Sequence, residues 1–535
     1  MNYPSAIPTF KENLLTVKEA SIWATRYLKK TVTVSNISYL IQYGRIKKFD
    51  VGGAVCVSSE ELEEYYKSYN SYRETAYREK LGNHINWALS FDKYKESETT
   101  KHIHRLHPYK GKFIPQLVEY FLDGHTDEFK STAYFKKGDI VLDPFSGSGT
   151  TMVQSSELGI HAIGIDVSAF NALIGNCKVT YYDINDIIVE ITRITNDLQT
   201  FISKSDIGEF EEELLRELYY FNNNYFPVPE YKYKIRNGEL DEKCYSIAKE
   251  RDFLPIYEKL VKKYDIELNQ KSNAAFLNKW YLGQICSEID FVYNEIEKVK
   301  NQNTKNILCI ILSRTIRSCR ATTHSDLATL LEPVTSTYYC RKHGKICKPL
   351  FSIYKWWKTY TKDTIARLRE FNTFRTETHQ LCLVGDSRII DIFNETEPIH
   401  PVFAKLLKTQ KIQGIFSSPP YVGLINYHEQ HAYAYDLFKF PRNDELEIGP
   451  LFKGQGNSAK ESYVDGISSV LINCKKFLAD DYNIFLVAND KYNLYPKIAE
   501  KAGMCLINQF HRPVLNRTEK DKGAYSETIF LLRER

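Results

Sequence analysis

One stretch of this 535-residue chain spaces two carboxylates around a glycine turn. It reads GDIVLDPFSGSGTTMVQSSELGIHAIGIDVS, from Gly138 to Ser168. The apolar run IVLD ends in Asp143, small residues follow, and HAIGID ends in Asp166, 23 positions on. Gly147 and Gly149 allow a ligand to approach the backbone closely at a helix N-terminus. A carboxylate at the tip of a second strand suits a ribose diol. The elements needed to position these groups are a strand, a tight turn, a helix and a second strand, one βαβ half of a doubly wound sheet. A nicotinamide enzyme would normally show GxGxxG and a P-loop GKT or GKS; neither is present here. Another nucleotide fold with a glycine turn stays open at this point.

DPFSGSGT resembles the adenosylmethionine-binding motif of DNA amino-methyltransferases. The resemblance implies that Asp143, Pro144, Phe145, Ser146, Gly147, Gly149, Thr150 and Asp166 hold S-adenosylmethionine. A second stretch, QGIFSSPPY at Gln413–Tyr421, is an apolar strand ending in Ser-Pro-Pro-Tyr. It resembles that family's catalytic motif (D/N/S)PP(Y/F/W). An exocyclic base amine is a poor nucleophile because its lone pair is conjugated with the ring, so the enzyme must accept hydrogen bonds from it as it rehybridises. By the resemblance, Ser418 Oγ and the Pro419 carbonyl are the acceptors. Pro419 and Pro420 stiffen the turn and remove competing N–H donors, and Tyr421 offers a face to the extruded base. HPYKGKFIPQL, about 35 residues before the glycine turn, resembles the family segment that closes over the methionine end of the cofactor, with Lys112, Phe113 and Pro115 the best matches. LCLVGDSR is a further apolar strand ending in an acid, and Asp386 inherits the role of approaching the adenine amine. Asn483–Asn489, Cys505–Val514 and Glu527–Leu532 are predicted strands, the last two a terminal antiparallel hairpin. The basic loop between these two is expected to touch the flipped base or the DNA backbone.

The net charge is only +4, from 71 Lys/Arg and 67 Asp/Glu, which excludes a histone-like protein and an acidic disordered chain. The charge is uneven. Residues 1–50 carry eight Lys/Arg against three acids, and residues 340–376 ten against two. Within 16–67, Thr16 and Glu19 form a capping-box pattern, Ser35 is expected to cap a second helix and Gly44 to end it, and IKKFDVGGAVCV reads as a hairpin. Helix, turn, helix, wing, helix resembles the winged helix-turn-helix of the excisionase/MerR-like family. Ser35, Arg45, Lys47 and Lys48 are the residues of this unit expected at DNA. Further on, Arg314, Arg317 and Arg320 recur every three residues and can share one helix face. Lys355, Lys358 and Lys362 then interleave with Tyr354, Trp356, Trp357 and Tyr360, a pattern that neutralises phosphates and stacks on bases. The plainer alternative is a basic helix whose tryptophans are core.

The reading that results is an α/β protein: a Rossmann-like methyltransferase sheet with a terminal antiparallel hairpin, a large mostly helical insertion and an N-terminal winged helix-turn-helix. Expected boundaries are 1–70 for the helix-turn-helix, 71–100 for a connector, 101–185 for the cofactor half, 186–380 for the insertion as target-recognition region, and 381–535 for the catalytic half. The insertion falls before the third acidic strand, whereas in the family arrangement it broadly resembles the insertion comes after. The expected activity is site-specific methylation of duplex DNA at cytosine N4, with a restriction endonuclease or defence proteins as partners. Adenine N6 is the alternative, since family members with that target more often carry Asp or Asn in place of Ser418. A DNA-binding regulator is the alternative from another class.

No apolar run approaches the ~18 residues that span a bilayer, and the N-terminus shows no signal-peptide pattern. A cytoplasmic protein with no membrane partner is therefore expected. The eleven cysteines follow no disulfide framework and read as reduced thiols. Cys340, His343 and Cys347 are spaced C-x2-H-x3-C, with Cys319 considered as a fourth ligand. A paired CxxC…CxxC is absent, so free cysteines and no metal are the expectation. His428 and His431 also have metal-like spacing, but HEQH is one residue short of HExxH, and packing or a base-pocket role is expected instead.

Overall fold

The computed structural model describes residues 13–28, 31–67, 85–91, 94, 96–109, 111–268, 275–324, 332–514 and 525–535. The loop 515–524 and the first part of the connector, 71–84, lie outside the described residues. In chain order the strands are β1 (Leu14–Thr16), β2 (Phe49–Val51), β3 (Ala54–Ser58), β4 (Ile140–Asp143), β5 (His161–Asp166), β6 (Tyr338–Cys340), β7 (Lys345–Cys347), β8 (Gln380–Val384), β9 (Ile412–Ser417), β10 (Leu478–Ala488), β11 (Met504–Pro513) and β12 (Ser526–Glu534). The chain divides into two compact units, and both are discontinuous in sequence. The stretch expected as one helical insertion, 186–380, is shared between them.

The first unit comprises Met1–Lys80, Ser203–Asn269 and Ala321–Phe351. Its N-terminal part is a three-stranded antiparallel sheet, order β1-β3-β2, with helices Val17–Leu28, Val34–Gln42 and 59–67. Thr16 caps the first helix as its sequence implies: Glu19 N–H donates to Thr16 Oγ1 at 3.3 Å, and Thr16 N–H donates to Glu19 Oε2 at 2.9 Å. The second helix starts two residues earlier than expected. Thr33 caps it, reciprocally with Asn36, and Ser35 is an exposed residue of its first turn. Gly44 follows that helix at φ +63°, and Gly52 and Gly53 turn the β2–β3 hairpin at φ +57° and +81°; the two positive values are those of a type I′ turn, whose twist matches the strands. Ile37, Leu40, Val57 and Leu62 are among the buried residues of the small core. Among the described residues, the rest of the unit is mostly helices joined by loops, together with the β6–β7 hairpin. Asn222 holds that hairpin by donating to the Ile346 carbonyl at 3.0 Å and accepting from its N–H at 2.9 Å.

The second unit comprises Leu81–Ile202, Gln270–Arg320 and Ser352–Arg535. It is built on a seven-stranded sheet of order β11-β12-β10-β9-β4-β5-β8. Strands β10, β9, β4, β5 and β8 are parallel, while β12 runs antiparallel to both β10 and β11. The central strands are buried on both faces, so they read as continuous apolar runs. Ile140, Leu142, Ile163, Ile165, Leu383, Ile415, Ile484 and Leu486 form the middle of one large core. Gly414 in β9 is needed because a Cβ there would collide with the Asn483 carbonyl of β10. Successive strands run outward from β4 through β5 to β8 on one side and from β9 to β10 on the other. The strand order therefore reverses between β4 and β9, where a doubly wound sheet opens a crevice at its C-terminal edge.

Candidate active site

That crevice is a cleft open to solvent, at the place where ligands bind in doubly wound sheets. The ends of four strands supply much of its wall: Asp143 at the end of β4, Asp166 at the end of β5, Asp386 just beyond β8 and Ser418 directly after β9. Pro144, Phe145, Ser146, Gly147, Ser148 and Thr150 line it from the glycine turn, and Gly111, Lys112 and Phe113 from the earlier basic segment. Residues far apart in sequence thus meet because parallel strands all deliver their C-terminal ends to one edge.

The glycine turn is held by the acids that flank it. Asp166 accepts from Gly147 N–H at 2.8 Å, Ser168 N–H at 2.9 Å and Asn171 Nδ2 at 3.2 Å. Asp143 accepts from Ser417 Oγ at 2.5 Å and Phe145 N–H at 3.2 Å. Burial pushes both carboxyls up to about 6, and these hydrogen bonds hold them lower than burial alone would. Gly147 sits at φ +50°, and a Cβ there would stand 3.0 Å from Tyr109 Oη. Gly149, at φ +76°, does not line the cleft. It is small because a Cβ would press into Met152 and Gly175, so its requirement is packing rather than ligand approach. It caps helix Thr150–Leu158, whose first N–H groups are left without helical partners.

Other sequence-named residues are placed differently. Asp386 lines the cleft, but its carboxylate is already forked by Arg388, with Nε at 2.8 and 2.9 Å from its two oxygens and Nη2 at 2.7 Å. Lys112 lines the cleft and donates to the His104 carbonyl at 2.8 Å; burial, then Arg105 and Arg367, push its ammonium down to about 8. Pro115 is not on the wall; it is a buried first residue of helix Pro115–Leu122, where its fixed φ and missing N–H suit the position. Pro420 lines the cleft beside Ser418, and Pro419 is buried behind it. Tyr421 turns away to a second, smaller cleft, shared with Asn489, Asp490 and Tyr492, and donates to Glu527 Oε1 at 2.9 Å.

Several wall residues carry no signal in the sequence. Tyr109 lies inside the HPYKGKF segment, where its basic and proline neighbours hold the family resemblance. Asn171, Tyr427, Leu446, Glu447, Ile448 and Val470 come from unrelated stretches. His428 has only its spacing to His431 to distinguish it. It lies on the wall, bonded through Nδ1 and N–H to Glu447. His431 is buried and not on the wall, and burial holds its imidazole down at about 3.

The basic residues read as a DNA face separate by burial. Arg314 is 7% and Arg320 7% exposed. Arg314 Nη1 lies 2.5 Å from Asp363 Oδ2, and its guanidinium covers the Tyr360 ring at 4.2 Å. Arg320 Nε donates to the Arg317 carbonyl at 3.1 Å, and Arg317 is half-buried. Arg314 and Arg320 are therefore interior residues rather than a phosphate-facing row. Lys355 and Lys358 are exposed. The neighbouring Trp357 is core, its Nε1 donating to Thr195 Oγ1 at 2.9 Å, while Trp356 stacks on Tyr360. In the first unit Lys47 is exposed and near the Phe49 and Tyr233 rings, Lys48 pairs with Asp50 at 3.1 Å, and Arg45 is half-buried. Among the described residues no helix is long and apolar enough to cross a membrane.

Similarity to known proteins bears on the same cleft. Residues 2–174 match a family described as DNA methylase. The chain is 47% identical over 526 residues to the Type II methyltransferase M.MjaII of Methanocaldococcus jannaschii, a match spanning 98% of this chain and 97% of that protein. It is 30% identical over 139 residues to the Type II methyltransferase M.BsoBI of Geobacillus stearothermophilus, 24% of this chain and 25% of that one. It is also 25% identical over 263 residues to the Type II methyltransferase M.MvaI of Kocuria varians, 43% and 52% of the respective chains.

Proposed function

This chain belongs to the Type II DNA methyltransferase family, and we propose that it methylates the exocyclic N4 of cytosine in duplex DNA within a restriction-modification system. The observation that carries the choice of base is the hydroxyl of Ser418, at the end of β9 on the wall of the cleft.

S-adenosylmethionine is the methyl donor, and it supplies an electrophilic methyl group. The cleft fits it. Gly147 lines it, its missing side chain making room for the Tyr109 ring, Phe145, Leu446, Ile448 and Val470 offer apolar wall, and Asp166 and Asn171 offer polar groups. Asp143, Pro144, Phe145, Ser146, Gly147, Thr150 and Asp166 would hold the cofactor, with Lys112 and Phe113 at its other end. Gly149 and Pro115 shape the site without touching it. Asp386 meets an adenine amine only while shared with Arg388.

The work of the chain's own residues is positioning and polarisation. Ser418 Oγ and the Pro419 carbonyl accept hydrogen bonds from the amine, drawing its lone pair out of conjugation as the nitrogen attacks. Pro419 and Pro420 keep N–H donors away from that point. Tyr421, held by Glu527, faces the second cleft, so stacking it on a base held at Ser418 requires its ring to move. Outside the sheet, Lys355 and Lys358 neutralise phosphates, and the elements of residues 14–67, as a winged helix-turn-helix, bring Ser35, Lys47 and Lys48 to DNA.

The test is mass spectrometry of nucleosides from DNA methylated by the purified protein. N4-methylcytosine is expected. N6-methyladenine in its place would overturn the base assignment, and specific DNA binding with no methyl transfer would leave a regulator.

A further inference from the structure

We propose that His324, Cys340, His343 and Cys347 form a structural zinc site in the first unit. One ligand atom from each lies within 4.8 Å of all the others. A tetrahedral ion, with bond lengths of about 2.3 Å to sulfur and 2.0–2.1 Å to nitrogen, holds its ligand atoms roughly 3–4 Å apart, so small side-chain rotations bring this group around one ion.

The hairpin delivers three of them. Cys340 ends β6, Cys347 ends β7 and His343 occupies the turn between, closed by Gly344 at φ +64°. Cys347 pairs with Tyr338 and Cys340 with Lys345 in the ladder. His343 Nδ1 stands 3.5 Å from Cys347 Sγ. The fourth comes from outside the hairpin: the His324 ring lies 4.4 Å from that of His343, centroid to centroid. Tyr338 Oη is 2.7 Å from His324 Nδ1. A hydroxyl on one ring nitrogen orients the imidazole and leaves the other for metal. Cys319, the fourth ligand that spacing suggests, is not in the group. It is the buried C-cap of helix Gln302–Ser318.

The local packing calls for such a staple. The hairpin strands are three residues each, and their buried cluster is Tyr338, Cys340 and Cys347 with Val334 against it. Two of its three buried members are the thiols themselves. Ile346 is buried, and Asn222 and Tyr339 tie the strands to neighbouring helices, but a two-stranded hairpin this short is marginal alone, and metal ligation is a usual remedy where a core is small. Two thiolates and two imidazoles favour zinc over harder ions. With four protein ligands there is no open position for catalysis, so the ion holds the hairpin to the His324 segment and takes no part in methyl transfer.

Metal analysis of the full chain, expressed with zinc and gel-filtered without chelator, tests this. About one zinc per chain is expected, with near-complete loss in a Cys340→Ser/Cys347→Ser variant. Should that variant fail to fold, His343→Cys serves: it retains zinc, and its cobalt(II)-substituted form shows a stronger thiolate-to-metal charge-transfer band than the wild type. Wild-type protein without zinc, or with a Cys340–Cys347 disulfide found in its place, would overturn the proposal. So would zinc retained in full by a folded double variant, or a charge-transfer band that does not change in His343→Cys.

Discussion

Helices Gln302–Ser318 and Tyr354–Asn372 both carry cations at helical spacing, yet they stand in opposite relations to water. In the first, every residue from Ile307 to Ile316 is buried, Arg314 among them. In the second, burial follows a single stripe of Trp357, Thr361, Thr364, Leu368 and Phe371, and Lys355 and Lys358 lie off it. The two meet through the Arg314–Asp363 pair. Periodicity states which residues share a face. Whether that face is wet depends on what packs against it, and a helix enclosed on all sides has no outward face to offer. An arginine inside is then a structural ion pair, and a lysine outside a free cation for a polyanion.

The cleft defines the upper end of the scale of expected effects. Ser418→Ala should lower turnover about 100-fold or more, the usual cost of removing one preorganised hydrogen-bonding group, while cofactor affinity measured by calorimetry changes little. Loss of cofactor binding instead would remove Ser418 from the catalytic role. The buried carboxyls come next. Asp143 has a folded value near 6 against an ordinary 3.8, so between these values the folded state binds more protons than the unfolded one. Its share of stability is present below about pH 4 and lost as pH rises through 6, by about 3 kcal/mol. Denaturant titrations across that window should show a flatter slope in Asp143→Asn, and an unchanged slope would mean Asp143 does not titrate there.

Arg314→Ala should cost about 2 kcal/mol of stability, below the 3–5 typical of a broken buried pair because Arg367 still holds Asp363. At matched folded fraction its DNA affinity should equal wild type. A lowered salt dependence in this variant would erase the contrast between the two helices. The smallest stability effect belongs to Lys355→Ala/Lys358→Ala, expected within about 0.5 kcal/mol. The slope of log affinity against log salt should nonetheless fall by about 2, since each phosphate left without its lysine lowers it by about 0.9. No change in slope would remove these lysines from the DNA surface.

Legibility followed the range of the interactions. The strand–glycine turn–strand segment was readable because its parts are local: IVLD and HAIGID are apolar runs short enough for strands, and the turn needs residues that tolerate positive φ. The terminal hairpin was readable for the same reason, although β10 begins five residues before the expected strand. Thr16 is the cap its spacing implies, whereas the second helix is capped two residues before Ser35, because Thr33 and Ser35 both have the required chemistry and only the backbone path chooses. Spacing reached three of the proposed zinc ligands, Cys340, His343 and Cys347, but not the fourth: it suggested Cys319, whereas His324 is the residue the fold brings to the hairpin.

By itself the sequence determined which segments are parallel strands and which residues stand at their ends, and therefore that Asp143, Asp166, Asp386 and Ser418 share one edge. Parallel strands joined by right-handed crossovers leave no other arrangement. Only the tertiary structure decided what each of those groups is free to do. It commits Asp166 to the glycine turn and Asp386 to Arg388, turns Tyr421 to a second cleft, brings Tyr109 and Glu447 to the wall and buries Arg314. The Asp386–Arg388 pair is local in sequence, but most of the other outcomes depend on packing and hydrogen bonds between residues far apart in the chain, such as Tyr421 with Glu527 and Arg314 with Asp363.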